Sequence, residues 1–148
     1  MKHSRPAFAL LIACLMTSGL LARDFKETLK EAEKGNAIAQ SDLGIMYTRG
    51  DGVSKDDVEA VKWFRKAAEQ GLDNAQYNLG VMYYEGEGIP KDYAEAYAWL
   101  NLARAQGNSL TKFYLTNLER NMPKDQLARG QSRSTELHRE IEARKAKK

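Results

Sequence analysis

Residues 37–72 and 73–108 are two copies of one pattern, and this period of 36 residues constrains the fold more than any other feature. Laid over each other without a gap, the segments share Ala39/Ala75, Gln40/Gln76, Leu43/Leu79, Gly44/Gly80, Met46/Met82, Tyr47/Tyr83, Gly50/Gly86 and Gly52/Gly88. The identities continue through Lys55/Lys91, Asp56/Asp92, Glu59/Glu95, Ala60/Ala96, Trp63/Trp99, Ala67/Ala103, Gln70/Gln106 and Gly71/Gly107. A period of about 20–50 residues marks stacked units, each too small to bury its apolar face alone. Such a stack offers an extended surface. The chain is therefore expected to hold partners rather than to enclose a reaction.

Each unit reads as two helices. Ala39, Leu43, Met46 and Tyr47 follow the 3, 4, 7 spacing of one helical face. Gly50-Asp51-Gly52 ends that helix, since glycine readily takes the backbone angles of a helix terminus. Asp56 or Asp57 can cap the next helix, which carries Ala60, Trp63, Phe64 and Ala67 on one face and ends at Gly71. The second unit repeats the plan, with helices near 74–85 and 92–106 around Gly86-Glu87-Gly88. The paired alanines, Ala60/Ala96 and Ala67/Ala103, allow close approach, and Trp63 and Trp99 fill the space between helices. The expected fold is all-α: a helical-repeat solenoid of two full repeats with capping helices.

The flanks fit the same frame. Residues 24–36 align with the second half of a repeat and predict an N-terminal capping helix. Residues 109–121 align with a first helix, with Leu115 on Leu79 and Phe113 on Tyr77. Together these make a solenoid over 23–121. End units of solenoids are atypical because one face meets water. From Met122-Pro123 the pattern is lost. Residues 122–148 predict a last helix that Gly130, Ser132, Ser134 and Thr135 weaken, followed by the basic tail Arg144-Lys145-Ala146-Lys147-Lys148. That segment reads either as a solvated helix or as a basic arm making weak contact with anionic lipid or an acidic partner.

Residues 1–22 read as a secretory signal. Lys2, His3 and Arg5 precede the apolar run Ala7–Met16, and Ala22 is a small residue before Arg23-Asp24. Cleavage is expected after Ala22, with Gly19 next. The run is too short for a bilayer-spanning helix, which needs about 20 residues. Leu11-Ile12-Ala13-Cys14 offers an alternative, lipidation of Cys14, although Leu15, Met16, Leu20 and Leu21 are more apolar than a usual tether. Cys14 is the sole cysteine, so a chain cut at Ala22 has no disulfide and rests on packing. The expected place is periplasmic or secreted, or anchored at Cys14. The net charge of +3 falls to +1 once Lys2 and Arg5 leave with the signal. That gives little reason to expect nucleic acid, whose binding rests on neutralising several phosphates.

Motifs for catalysis are sparse. After residue 22 the one histidine is His138, in the weakest helix, so no nucleophile–base pair or zinc ligand set stands out. The Gly-x-Gly loops lack the following Gly-Lys-Ser/Thr of a phosphate loop. Their acidic residues are too few for a calcium loop. No enzyme activity, cofactor or metal is expected.

The candidate binding surface lies where the repeats differ. Opposite the packing residues Leu43 and Tyr47 stand Ser41, Ile45 and Thr48. The matching residues are Tyr77, Val81 and Tyr84 in the second unit, and Phe113, Asn117 and Arg120 in the last helix. This side is expected to line a concave groove, with Ser41, Thr48, Tyr77, Val81, Tyr84, Phe113 and Arg120 meeting a protein or peptide. Tyrosine and arginine are common anchors. The same tyrosines could instead pack on neighbouring helices.

These residues resemble the Sel-one-like repeat, a relative of the tetratricopeptide repeat. The matching positions are Ala39, Leu43, Gly44, Tyr47, Gly50, Gly52, Val53, Asp56, Ala60, Trp63, Ala67, Ala68 and Gly71, and again Ala75, Leu79, Gly80, Tyr83, Gly86, Gly88, Ile89, Asp92, Ala96, Trp99, Ala103 and Gly107. Arg104 departs from the second alanine. The resemblance covers roughly 24–121 and implies an adaptor or scaffold, here in the cell envelope, because exported members are common. Some cysteine-rich relatives bind or hydrolyse β-lactams, which leaves an envelope enzyme of that kind, or a lipid-anchored structural accessory, as alternatives. This chain lacks their cysteines.

Overall fold

A computed structural model describes residues 25–147. The signal segment, its cleavage bond and Cys14 lie outside the described residues. Seven helices and no strand occur among the described residues. They are α1 (25–33), α2 (Ala37–Arg49), α3 (Asp57–Glu69), α4 (Asp73–Glu85), α5 (Tyr93–Ala105), α6 (Thr111–Asn121) and α7 (Lys124–Lys145). Helices α2 and α3 form the first repeat, α4 and α5 the second, and each pair packs together.

The caps follow from the repeated residues. Gly50 and Gly86 close α2 and α4 in left-handed conformations, donating back to the Met46 and Met82 carbonyls. Asp56 caps α3 by accepting from Glu59 N, and Asp92 caps α5 by accepting from Ala94 N and Glu95 N. The shared glutamines tie one unit to the next. Gln40 Nε2 donates to Ala32 O and Gln76 Nε2 to Ala68 O. Gln70 Nε2 then donates to Gln40 Oε1, and Gln106 Nε2 to Gln76 Oε1, at 2.9 and 2.8 Å. Arg65 adds a cross-link from α3 to the Tyr83 hydroxyl at 2.6 Å.

Close approach within each pair uses glycine as well as the buried alanines Ala60, Ala67, Ala96 and Ala103. A Cβ built on Gly44 would fall 2.7 Å from the Phe64 ring, and one on Gly80 would fall 2.7 Å from Leu100 Cγ. The second helix of each repeat therefore seats a large apolar side chain on a bare stretch of the first. Trp99 is fully buried in the larger core with Phe64, Leu79, Leu100, Leu115 and Leu118. Trp63 anchors a smaller cluster with Ala32, Ala39 and Leu43, and Lys66 Nζ lies 4.0 Å above its ring.

The C-terminal segment departs from the expectation of a weakened, solvated helix. Helix α7 is 22 residues long and packs along α5. Its contact points are the residues that read as weak. Gly130 is buried, and a Cβ there would come 3.0 Å from the Tyr97 ring and 3.2 Å from Ala94 O. Ser134 Oγ accepts from Asn101 Nδ2 at 2.9 Å. Leu137 and Ile141 are buried beyond it. The basic end is partly neutralised rather than free, since Arg144 reaches Glu69 at 2.6 Å and Lys145 reaches Glu142 at 2.9 Å. Both pairs are exposed, so each contributes little stability. Arg133 does more, joining Glu95, Glu136 and Glu140 in one half-buried network.

Helix α7 leaves the repeat path because Met122-Pro123-Lys124 stands where the earlier units have Gly-x-Gly. Met122 is extended, at φ −74° and ψ 140°, so the chain does not turn back onto α6. No helix of the described residues is long and apolar enough to cross a membrane.

Candidate partner-binding face

The stripe expected to line a groove is mostly a contact between repeats. Ser41 is buried, at 4% exposure, and offers nothing to a partner. Ala37 and Ile45 share its stripe at a spacing of four, and both pack against the larger core. That face of α2 turns toward the second unit. Thr48 is half-buried, with Oγ1 donating to Ile45 O at 2.8 Å.

The second unit shows the same behaviour. Tyr77, Val81 and Tyr84 are half-buried and pack against the core. Tyr114 of α6 meets Tyr77 at 6.1 Å and Tyr84 at 5.1 Å between ring centroids, both edge-on. Tyr84 also meets Tyr93 at 5.4 Å, and its hydroxyl donates to Asn117 Oδ1 at 3.0 Å. Such pairs contribute about 0.5–1.5 kcal/mol beyond buried area. Burial among these rings pushes the Tyr114 hydroxyl above its ordinary pKa. These tyrosines join α4 to α6; they do not stand free.

The stripe becomes a surface only where the stack ends. On α6, Phe113 is 71% exposed, and Leu110, at the position just before the helix, is 60% exposed. Phe113 meets Tyr114 edge-on at 5.3 Å, so a chain of rings runs from Phe113 through Tyr114 and Tyr84 to Tyr93. A shallow depression beside Phe113 is also lined by Leu110, Lys112, Thr116, Asn117 and Arg120. Of the seven residues expected to bind, the structure leaves Phe113 and Arg120 well exposed. It adds Leu110, Lys112 and Tyr93, which the repeat comparison did not single out. The sequence signal for Tyr114 and Tyr93 was the density of aromatics at 77, 83, 84, 93, 97, 113 and 114.

No group of three or more His, Cys, Asp and Glu side chains that could hold a metal occurs among the described residues. His138 sits exposed on α7, away from the ring chain.

Paired antiparallel helices, a glycine-closed turn and a glutamine ladder repeated at one period define a helical-repeat solenoid of the protein-interaction class. The family model of the Sel1 repeat matches residues 37–72 and 73–108, and the chain is a Sel1-repeat protein. Sel1 repeats generally mediate protein–protein interaction, and their fold is typically a non-catalytic scaffold. Among solved structures, the chain is similar to c5321, a protective antigen of uropathogenic Escherichia coli with an SLR fold. The two share 36% identity and a TM-score of 0.76, over 79% of this chain and 25% of that one. It is also similar to a Sel1 repeat protein from Oxalobacter formigenes, at 40% identity and a TM-score of 0.61, over 62% of this chain and 26% of that one. The chain thus spans about a quarter of the length of these relatives. No curated protein matches it.

Proposed function

We propose that the protein is an exported adaptor that holds a segment of another protein against the open end of its stack, on the face of α6 that carries Phe113. The observation that carries this reading is the exposure of Phe113, at 71%, at the end of an otherwise packed chain of rings. The matching Tyr77 in the preceding unit is covered by Tyr114 of the next helix, so Phe113 occupies a position that elsewhere in the stack has a neighbour. A large exposed aromatic beside a polar rim is the composition of a binding anchor. Export rests on the basic-then-apolar start of residues 1–22.

Two expected results test this. A photoreactive residue placed at Phe113 should crosslink to one partner in the native envelope, and the same residue at Lys62, on the outer side of α3, should not. Phe113→Ser should lower capture of that partner tenfold or more, while stability changes by no more than about 0.5 kcal/mol, as usual for a surface site. Equal crosslinking from both positions, or undiminished capture by the serine variant, would refute the site. For export, the protein recovered from the periplasm should have the intact mass of a chain starting after Ala22. An acylated chain starting at Cys14 would replace that reading with a lipoprotein.

A further inference from the structure

The open face of α6 is built differently from the faces that carry the stack forward. Where α4 has Gln76, Gly80 and Tyr83, α6 has Lys112, Thr116 and Glu119. Gly80 is the bare patch on which Leu100 sits. Thr116 fills that patch, so the repeat's own second helix does not fit there. The face therefore lacks the seat for a second helix that α4 provides.

Its charges are arranged for something else. Lys112 and Arg120 both line the depression beside Phe113, eight residues apart, which is about 12 Å along the helix. Neither side chain makes a hydrogen bond or an ion pair among the described residues. The carboxylate of α6, Glu119, is drawn off by Arg104 at 3.3 Å and does not line the depression. Some cations elsewhere have carboxylate partners, such as Lys34 with Glu31, Lys62 with Glu59, Arg133 with Glu95 and Arg144 with Glu69. So an exposed phenyl ring and Leu110 share one depression with two cations that have no ion pair, and no carboxylate lines it.

We propose that this face binds an acidic amphipathic helix, whose apolar stripe covers Phe113 and Leu110 and whose carboxylates meet Lys112 and Arg120. The segment takes the place that a further first helix would hold in a longer stack, where Tyr114 already shows how an aromatic is covered edge-on. Carboxylates about two turns apart on the bound helix span the distance between the two cations. Charged rims of this kind set on-rate, salt dependence and choice of partner. The inference rests on the proposed docking at Phe113 and adds the chemistry of what docks.

The test is selection of a displayed library of randomised helical peptides on the full chain, followed by fluorescence anisotropy with the enriched peptides. The expected peptides carry leucine or phenylalanine stripes flanked by Asp or Glu seven or eight residues apart. Their binding should weaken as salt rises and fall at least tenfold with Lys112→Glu/Arg120→Glu. A charge-inverted peptide, with Lys for each Glu, should bind that double variant better than it binds the wild type. Enriched peptides that are neutral or basic and indifferent to the double variant, yet lost with Phe113→Ser, would overturn the acidic partner and leave the docking face standing. Enriched peptides indifferent to all three substitutions, or no enrichment at all, would overturn both.

Discussion

Gly88→Ala should unfold the protein far more readily than Gly107→Ala, although the two glycines have similar backbone conformations. Gly88 has φ +67° and Gly107 has φ +92°, both in the left-handed region that side chains disfavour. That shared penalty is about 1–2 kcal/mol. The surroundings separate them. A Cβ on Gly107 meets nothing within 4 Å. A Cβ on Gly88 would overlap the Asp57 carbonyl and lie 2.9 Å from Val58 N. Those atoms belong to the first turn of α3, so the loop of the second repeat rests directly on the backbone of the first. Backbone cannot swing aside as a side-chain tip can. Overpacking adds about 1–3 kcal/mol, for a total of about 2–5 kcal/mol. Against a usual stability of about 5–15 kcal/mol, that is a large share. Thermal unfolding followed by circular dichroism should show Gly88→Ala melting well below Gly107→Ala. If the two melt together, the loop does not rest on α3 as described.

The parts of the fold that both repeats share were legible in the sequence. The capping aspartates Asp56 and Asp92, the turn glycines Gly50 and Gly86, and the buried tryptophans recur at one period, and recurrence separates structural demand from chance. A last helix was expected over 122–148, but its packing along α5 was not, because the evidence for it lay in what the repeats do not share. On the outer side of α3 stand Lys62, Arg65, Lys66 and Glu69; the matching residues of α5 are Ala98, Asn101, Leu102 and Ala105. A helix whose outer face has lost its charge is covered by something. From Ala94 to Leu100 every side chain of α5 except Glu95 is buried, and Glu95 is held by Arg133 of α7. Gly130 looked like a helix breaker for the same reason. Helix propensity disfavours it locally, and only the nearness of Tyr97 explains it.

The binding stripe was legible by position but not by role. Helical spacing places Ser41, Tyr77 and Phe113 at equivalent points, yet their exposures differ from 4% at Ser41 to 71% at Phe113. The difference comes from whether another first helix follows. Spacing within one helix cannot report the distance to the next. It therefore left Tyr77 and Tyr84 open between a partner and a neighbouring helix, and they pack on Tyr114. This also decides which substitutions probe binding. Changing Tyr77 or Tyr84 disturbs the α4–α6 contact along with any partner, whereas Phe113 and Arg120 can be changed with the stack left intact.

Trp99→Ala should be the most damaging single change among the core side chains, and Trp63→Ala should cost less, although the two residues hold equivalent places in their repeats. Trp99 is at 0% exposure, in a helix enclosed by α4, α6 and α7. Emptying a buried aromatic site there costs about 3–5 kcal/mol, since helices fixed on several sides cannot collapse into the space. Trp63 is 9% exposed, and its cluster lies at the N-terminal end of the stack. Lys66 covers its ring and can follow it inward when the indole is removed. The sequence alone gave no ground for ranking the two. Trp99→Phe separates packing from polarity. The Trp99 Nε1–H is buried and makes no hydrogen bond. Phenylalanine removes that unsatisfied donor, worth about 1–3 kcal/mol, and part of the cavity cost is offset. Urea unfolding should therefore place the midpoints in the order wild type, then Trp99→Phe, then Trp63→Ala, then Trp99→Ala. Equal midpoints for the two alanine variants would mean that α7 does not enclose α5. It would return the C-terminal segment to the solvated helix that its composition suggests.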